Sequence, residues 1–266
     1  MTPIAKALQN VLARIHRARE SRGLPVEAVR LMAVSKTFGA EVVLQAIEAG
    51  QLDFGENYVQ EGVDKIRQVV QVLRPAIGQH SGHAPGASLP CWHFIGPLQS
   101  NKTKDVAEHF DWVHSIDRLK IAQRLIDQRP THLKPLQVCL QVNTSGEESK
   151  SGVSPDEVLT LAVQIGQAIA SHPRGQSAMV LRGLMTIPEP SPDPSVTMAR
   201  FERLVRLRRE IRQALSMTGQ DQAFDVLSMG MSADLELAIA ASVADATTWV
   251  RVGTAIFGAR PTKTTT

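Results

Sequence analysis

Short apolar runs alternate with longer stretches of helical hydrophobic spacing along the whole of this 266-residue chain. After a leading amphipathic segment at Pro3–Ser21, apolar runs at Leu31–Lys36, Leu52–Glu56, Trp92–Gly96, Trp112–Ile116, Leu136–Asn143, Val180–Ile187, Val226–Gly230 and Thr248–Gly253 predict eight strands. Helical patterns occupy the gaps at Ala40–Ala49, Tyr58–Leu73, Asn101–Phe110, Asp117–Gln128, Pro155–Ser171, Pro194–Met217 and Ala233–Ala244. Strand and helix alternating throughout is the pattern of parallel βα units. With no break in composition, the eight units predict an α/β protein of one domain over residues 1–266, a single (β/α)8 TIM-type barrel. An open doubly wound sheet is the weaker reading, because no glycine-rich dinucleotide fingerprint follows the first strand. The stretch after the eighth strand is short for a full helix, and the leading helix is expected to take its place.

Two segments carry finer signals. Ser154-Pro155-Asp156-Glu157 has the serine, proline and glutamate of a capping box, so the sixth crossover helix should start there. Residues 74–90, rich in Gly, Pro, Ser, Ala and His, read as a flexible insertion between the second crossover helix and the third strand. His80 and His83 lie inside it and are taken as loop residues, and no metal site is expected.

Composition narrows the setting. At 43% hydrophobic and 21% charged residues the chain has enough apolar material for a substantial core. Cys91 and Cys139 lack metal-ligand spacing and read as reduced thiols of a cytoplasmic protein. The first twenty residues have no uninterrupted apolar core, which excludes a secretory signal, and no run approaches the roughly 18 residues of a membrane span. A net charge of +3 and the arginines at 200, 203, 206, 208, 209 and 212 invite a nucleic-acid reading. Phe201, Leu204, Val205, Ile211 and Leu215 fall between them at helical spacing, so an amphipathic helix with a solvated basic face is preferred, and no nucleic-acid or membrane partner is expected.

Candidate chemistry gathers where the apolar runs end. In a barrel the C-terminal ends of the strands converge on one mouth. The residues there are Lys36, Asn57, His93 with Gly96, Ser115, Asn143, Met185 with Thr186, Ser228 through Ser232, and Arg251 through Thr254. Alternation places Lys36 on the same face as Met32 and Val34, an amine above two apolar side chains. Desolvation favours the neutral amine, the nucleophile that condenses with an aldehyde, whereas a plain strand-end lysine would snorkel to water. Ser228-Met229-Gly230-Met231-Ser232 and Gly253-Thr254 offer hydroxyls, glycines and backbone N–H groups after strands seven and eight, where barrels often bind phosphate. Each segment alone also fits a plain βα connection; with the lysine they describe a pocket for a phosphorylated aldehyde. Arg251 requires either carboxylate partners or a water-filled mouth, and the spacing leaves both open.

Ala33-Val34-Ser35-Lys36, the segment Phe54-Gly55-Glu56-Asn57-Tyr58-Val59-Gln60-Glu61, Trp92 through Lys102, Gly146 through Gly152, Leu227 through Asp234 and Arg251 through Gly258 closely resemble, in order, motifs of the pyridoxal phosphate homeostasis proteins. The resemblance implies a barrel like the N-terminal domain of alanine racemase, with pyridoxal 5'-phosphate held on Lys36 as an internal aldimine. It also implies a carrier or buffer of the cofactor with no established turnover and no catalytic residue, supplying apo forms of enzymes that use pyridoxal phosphate. By the same implication Ser228, Met229, Gly230, Ser232, Gly253 and Thr254 surround the phosphate, Arg251 approaches the pyridine ring and Asn57 lines the cofactor's side. A monomer is the expected state. Residues 74–90 are longer than the family pattern needs, and Thr144 stands where the family usually has another residue.

The opposing reading is a racemase or decarboxylase dependent on pyridoxal phosphate. Two-base racemisation needs an acid–base group opposite the lysine. The single tyrosine, Tyr58, should turn away from the face used by Asn57, and His93 is either a base or a packed strand residue. The carrier reading is preferred.

Overall fold

The computed structural model describes residues 1–78, 89–147 and 151–259. Eight parallel strands, β1 (Val29–Val34), β2 (Asp53–Glu56), β3 (Cys91–Phe94), β4 (Trp112–Ile116), β5 (Leu136–Gln141), β6 (Met179–Met185), β7 (Val226–Met231) and β8 (Thr247–Val252), pair in chain order, and β8 closes onto β1. Around this closed barrel run α1 (Pro3–Glu20), α2 (Ala40–Glu48), α3 (Val59–Gly78), α4 (Thr103–His109), α5 (Leu119–Gln128), α6 (Val158–Ser171), α7 (Pro194–Leu215), α8 (Leu235–Ala241) and the short α9 (Thr254–Phe257). The predicted (β/α)8 barrel is the observed fold.

Alternation along the strands sorts side chains into two cores. Met32, Val34, Ile95, Trp112, Cys139, Met185, Val226 and Trp249 fill the barrel, while Leu31, Ala33, Phe54, Phe94, Leu140 and Val250 face the helices. Both faces are covered, which is why the strands read as near-continuous apolar runs. Each large apolar side chain so buried contributes roughly 1.5–3 kcal/mol.

The leading helix does take the vacant place. Thr2 Oγ1 accepts from the Ala5 N–H at 3.2 Å and Pro3 opens α1, whose Leu8, Val11 and Ile15 are buried. The helix packs against α2, α8 and α9.

Several expected boundaries move. Four strands stop two residues short at the mouth, β1 at Val34 rather than Lys36, β3 at Phe94 rather than Gly96, β5 at Gln141 rather than Asn143, and β6 at Met185 rather than Ile187, while β7 runs on to Met231. At the rim the chain must leave the ladder and turn, so the polar residues that close each run belong to the turn. The box at Ser154 does not cap α6. Ser154 Oγ bonds the Glu157 carboxylate at 2.6 Å, residues 155–157 form a turn, and the helix starts at Val158. Residues 74–78 of the expected insertion continue α3; residues 79–88, with His80 and His83, lie outside the described residues.

The arginine-rich helix α7 is less of a solvated face than its sequence suggests. Arg208 is buried and binds Asp245 at 2.6 Å, Arg212 reaches the same carboxylate at 3.0 Å, and Arg200 donates to the Glu189 carbonyl at 2.6 Å. Arg206 and Arg209 are the exposed members.

Toward the N-terminal end of the barrel, His93 lies between Trp112 and Trp249, with ring centroids 5.5 and 4.8 Å away. Its Nε2 faces Asp53 Oδ1 at 3.2 Å and its Nδ1 faces His114 Nε2 at 3.0 Å. A carboxylate only accepts, so His93 carries its proton on Nε2 and accepts at Nδ1 from the Nε2–H of His114. Cys91 joins Asp53 and His93 in a cluster whose ligand atoms lie within 4.8 Å, although the Arg30 guanidinium stands 3.7 Å from the same Asp53 carboxylate. Burial lowers the pKa of both histidines below the ordinary 6.5, further for His114, which also feels His93 and Arg251.

Because the folded-state values lie below the unfolded ones, unfolding takes up protons as the pH drops beneath about 6.5. The stability conferred by the neutral pair is full above that pH and lost below it, at about 1.4 kcal/mol per pH unit per histidine. Denaturant titrations between pH 7.5 and 5 should show this slope. His114→Asn, which keeps an N–H donor for His93, should remove about half of it.

Candidate functional site

The chain leaves β1 through a tight turn. The Phe38 N–H donates to the Ser35 carbonyl at 3.1 Å, with Lys36 and Thr37 at the corner. Thr37 has φ 72°, the one positive φ at a non-glycine position among the described residues. A β-branched residue in this region costs on the order of 1–3 kcal/mol and persists only where its surroundings hold it. Here the Thr37 N–H donates to Glu61 Oε1 at 2.5 Å, and Lys65 Nζ donates to the Ser35 carbonyl at 2.8 Å. Lys65 also binds Glu56 Oε1 at 2.6 Å and Glu61 Oε1 at 3.1 Å, and Ser35 Oγ donates to Glu56 Oε1 at 2.6 Å. Desolvation raises the Glu56 pKa, opposed by the attraction of Lys65.

The turn sets Lys36 against a cavity of about 280 Å³ at the C-terminal mouth of the barrel. Its walls are Val34, Lys36, Asn57, Ile95, Ile187, Met231, Ser232, Ala233, Arg251, Gly253 and Thr254. Gly96 positions Asn57: a Cβ on Gly96 would overlap the Asn57 carbonyl oxygen, so only glycine permits the approach. The Asn57 side-chain oxygen is buried, and no donor among the described residues reaches it.

Arg251 resolves differently from either expectation. Its guanidinium donates to Ser228 Oγ and to the Thr186 carbonyl, each at 2.8 Å, so neutral acceptors orient it. Burial lowers its pKa to about 10, and Asp234 acts on it through space, so it stays cationic at neutral pH. Thr186 Oγ1 is in turn held by the Val142 carbonyl and Thr144 Oγ1, both at 2.9 Å, which gives the unusual Thr144 a place behind Arg251.

The loop after β7 forms another wall. The Met231 N–H donates to Asp234 Oδ1 at 2.5 Å, and the Asp234 N–H returns to the Met231 carbonyl at 3.2 Å. This closed turn leaves the Ser232 and Ala233 N–H groups without an acceptor among the described residues. Arg14 of α1 donates to the Ser232 carbonyl at 3.1 Å and pairs with Glu236 at 2.7 Å. Gly253, between β8 and α9, packs its Cα toward the Val34 carbonyl of β1.

Of the residues singled out from sequence, Lys36, Asn57, Ser232, Arg251, Gly253 and Thr254 meet at this cavity. Ser228, Met229 and Gly230 are not among its walls. Ser228 is spent on Arg251, Met229 is buried against the helices, and Gly230, with φ 84°, lets α8 pack close, since a Cβ there would come 2.5 Å from Ala238. His93 lies deeper in the barrel, and Tyr58 is 55% exposed; neither lines the cavity. Of the apolar walls, Val34 was legible from alternation and Met231 lies within the expected loop Ser228–Ser232, whereas Ile95 and Ile187 had no separate signal.

The sequence profile of the family "Alanine racemase, N-terminal domain" matches residues 7–261. The pyridoxal phosphate homeostasis protein of Vibrio cholerae is 48% identical over 260 residues, covering 98% of each chain. This chain belongs to that family. The pyridoxal phosphate homeostasis protein of Escherichia coli K12 is 46% identical with the same coverage. Among solved structures, PipY of Synechococcus elongatus with pyridoxal phosphate bound superposes with a TM-score of 0.72 at 31% identity, over 96% of this chain and 100% of that one. Alanine racemase of Corynebacterium glutamicum shares the fold at a TM-score of 0.59 and 16% identity; the match takes in 99% of this family member but 63% of the racemase.

Gly96→Ala should lower the unfolding free energy by about 2–4 kcal/mol, because backbone rather than a movable side chain blocks the added methyl. Gly23→Ala, where φ is 61° and nothing lies within 4 Å of the new Cβ, should cost only about 1–2 kcal/mol. Thermal and denaturant unfolding of the two variants checks the difference.

Proposed function

We propose that this protein binds pyridoxal 5'-phosphate at the mouth of the barrel, joined to Lys36 as a Schiff base, and acts as an intracellular carrier or buffer of the cofactor. The observation that carries the reading is the convergence of one lysine, one buried cation and two acceptor-free backbone N–H groups on a cavity of this size. The space admits one substituted pyridine ring. When bound, the cofactor supplies an electrophilic aldehyde and a conjugated ring.

The chain's own residues take defined parts. Lys36 would hold the cofactor through its amine, with the aldehyde oxygen released as water. Ser232, with the N–H groups of Ser232 and Ala233, and Gly253–Thr254 receive the phosphate as donors of hydrogen bonds without a metal ion. Asn57 and Arg251 line the ring. A guanidinium that stays charged disfavours a proton on the pyridine nitrogen and so weakens the ring as an electron sink. Val34, Ile95 and Ile187 exclude water from the flanks.

The carrier reading is favoured over a racemase or decarboxylase by the wall composition: beside Lys36 the described walls offer no carboxylate, histidine, cysteine or tyrosine to serve as a second acid–base group. Ser228, Met229 and Gly230 support the site from behind, by orienting Arg251 and by fixing the loop. The barrel acts as one unit and as a monomer, in the cytoplasm, delivering cofactor to apo enzymes. The free thiols Cys91 and Cys139 suit a reducing compartment, and no described helix is long and apolar enough to cross a membrane.

Incubation with pyridoxal phosphate followed by borohydride should fix one pyridoxyl group on the peptide containing Lys36, read by mass spectrometry. Lys36→Ala should abolish it. A colourless, unmodified wild-type protein defeats the binding reading, and rapid α-proton exchange on free amino acids defeats the carrier reading in favour of an enzyme.

A further inference from the structure

We propose that Lys65 and Glu61 are positioning residues for Lys36, clamping the peptide groups on both sides of it so that the strained turn presents the amine to the cavity. The inference rests on the reading that Lys36 is the cofactor lysine.

Its basis is a buried network behind the sheet whose own side chains line no part of the cavity. Ser35 directly follows β1, Glu56 ends β2, and Glu61 and Lys65 stand one turn apart on α3, on the same face. The Lys65 ammonium is 3% exposed and gives its three protons to the Ser35 carbonyl, Glu56 Oε1 and Glu61 Oε1. Glu61 Oε1 in turn accepts the Thr37 N–H. The carbonyl before Lys36 and the amide after it are therefore both bound to one rigid helix.

A buried charged network is weak grounds for stability, since apolar residues of similar volume commonly serve as well or better. What apolar residues do not offer is an acceptor for Thr37 and a donor for Ser35. Without them Thr37 has a lower-energy conformation at negative φ, and relaxation to it would swing Lys36 out of register with the loops after β7 and β8. The network so converts the position of α3 into the direction of one side chain.

The test uses the full-length protein. Hydrogen exchange of the Thr37 amide in the protein without cofactor should be slow in wild type and fast in Lys65→Met and Glu61→Ala. Both variants should still be labelled on Lys36 by pyridoxal phosphate and borohydride, but with affinity lowered about tenfold, the value of one charge-assisted hydrogen bond. Glu61→Gln keeps an oxygen acceptor for both the Thr37 N–H and Lys65 and should bind the cofactor within about threefold of wild type. Thr37→Gly, which adopts positive φ freely, should restore most of the affinity in the Lys65→Met background. Wild-type exchange and affinity in both Lys65→Met and Glu61→Ala overturn the proposal, as does loss of affinity that Thr37→Gly leaves unrepaired. If Lys65→Met does not fold, the Glu61 pair alone decides in the same way. Failure of the wild-type protein to label on Lys36 defeats the underlying cofactor reading instead, independently of the Thr37 exchange rates.

Discussion

Parallel pairing of β1 with β8 sets Met32 level with Arg251 and Ala33 level with Val252. Two segments from opposite ends of the chain thereby become neighbours, and the site is the place where they meet. Lys36 follows β1, Gly253 and Thr254 follow β8, and at Gly253 the two rims come so close that an added Cβ would lie 3.1 Å from the Val34 carbonyl oxygen. Everything else at the mouth is arranged around that seam: β7 supplies the loop at Met231–Ala233 on the far side of Arg251, and β2 supplies Asn57 beside Lys36.

The charges near the seam are distributed by burial. Arg251 is almost wholly covered yet has no carboxylate in direct contact among the described residues, so its field is not cancelled locally and extends into the cavity. Carboxylates sit instead behind the sheet, at Glu56 and Glu61, where Lys65 neutralises part of their charge. The outcome is a mouth that is attractive to an anion and a rear layer devoted to geometry. A phosphorylated ligand suits such a field without any need for an exposed basic surface.

How much of this could be read from the residues divides along a physical line. Strands, crossover helices and barrel closure follow from periodicity, because each element must bury an apolar face that its own sequence displays. Lys36 and Arg251 were legible because a charge inside an apolar run is conspicuous. Residues whose role depends on long-range partners were not. Ser228 stood out for its place after β7, and nothing local showed that its hydroxyl would accept a hydrogen bond from Arg251. Glu56 and Lys65 looked like ordinary polar positions until β1, β2 and α3 were packed together. His93 carried the right chemistry for a base, but its depth in the barrel depends on strand tilt and neighbouring tryptophans, which no pattern along one strand records. The serine at 154 had the right sequence neighbours for a cap and still formed a separate turn.

Arg14 links the first helix to the Ser232 carbonyl and Glu236, while β8 and α9 are among the last elements made. During synthesis Lys36 therefore emerges long before the loops after β7 and β8 that face it. A nascent chain at that stage has the lysine without the cavity around it. The walls at Lys36 are complete only once the whole circle of strands has closed, and no one segment supplies them alone.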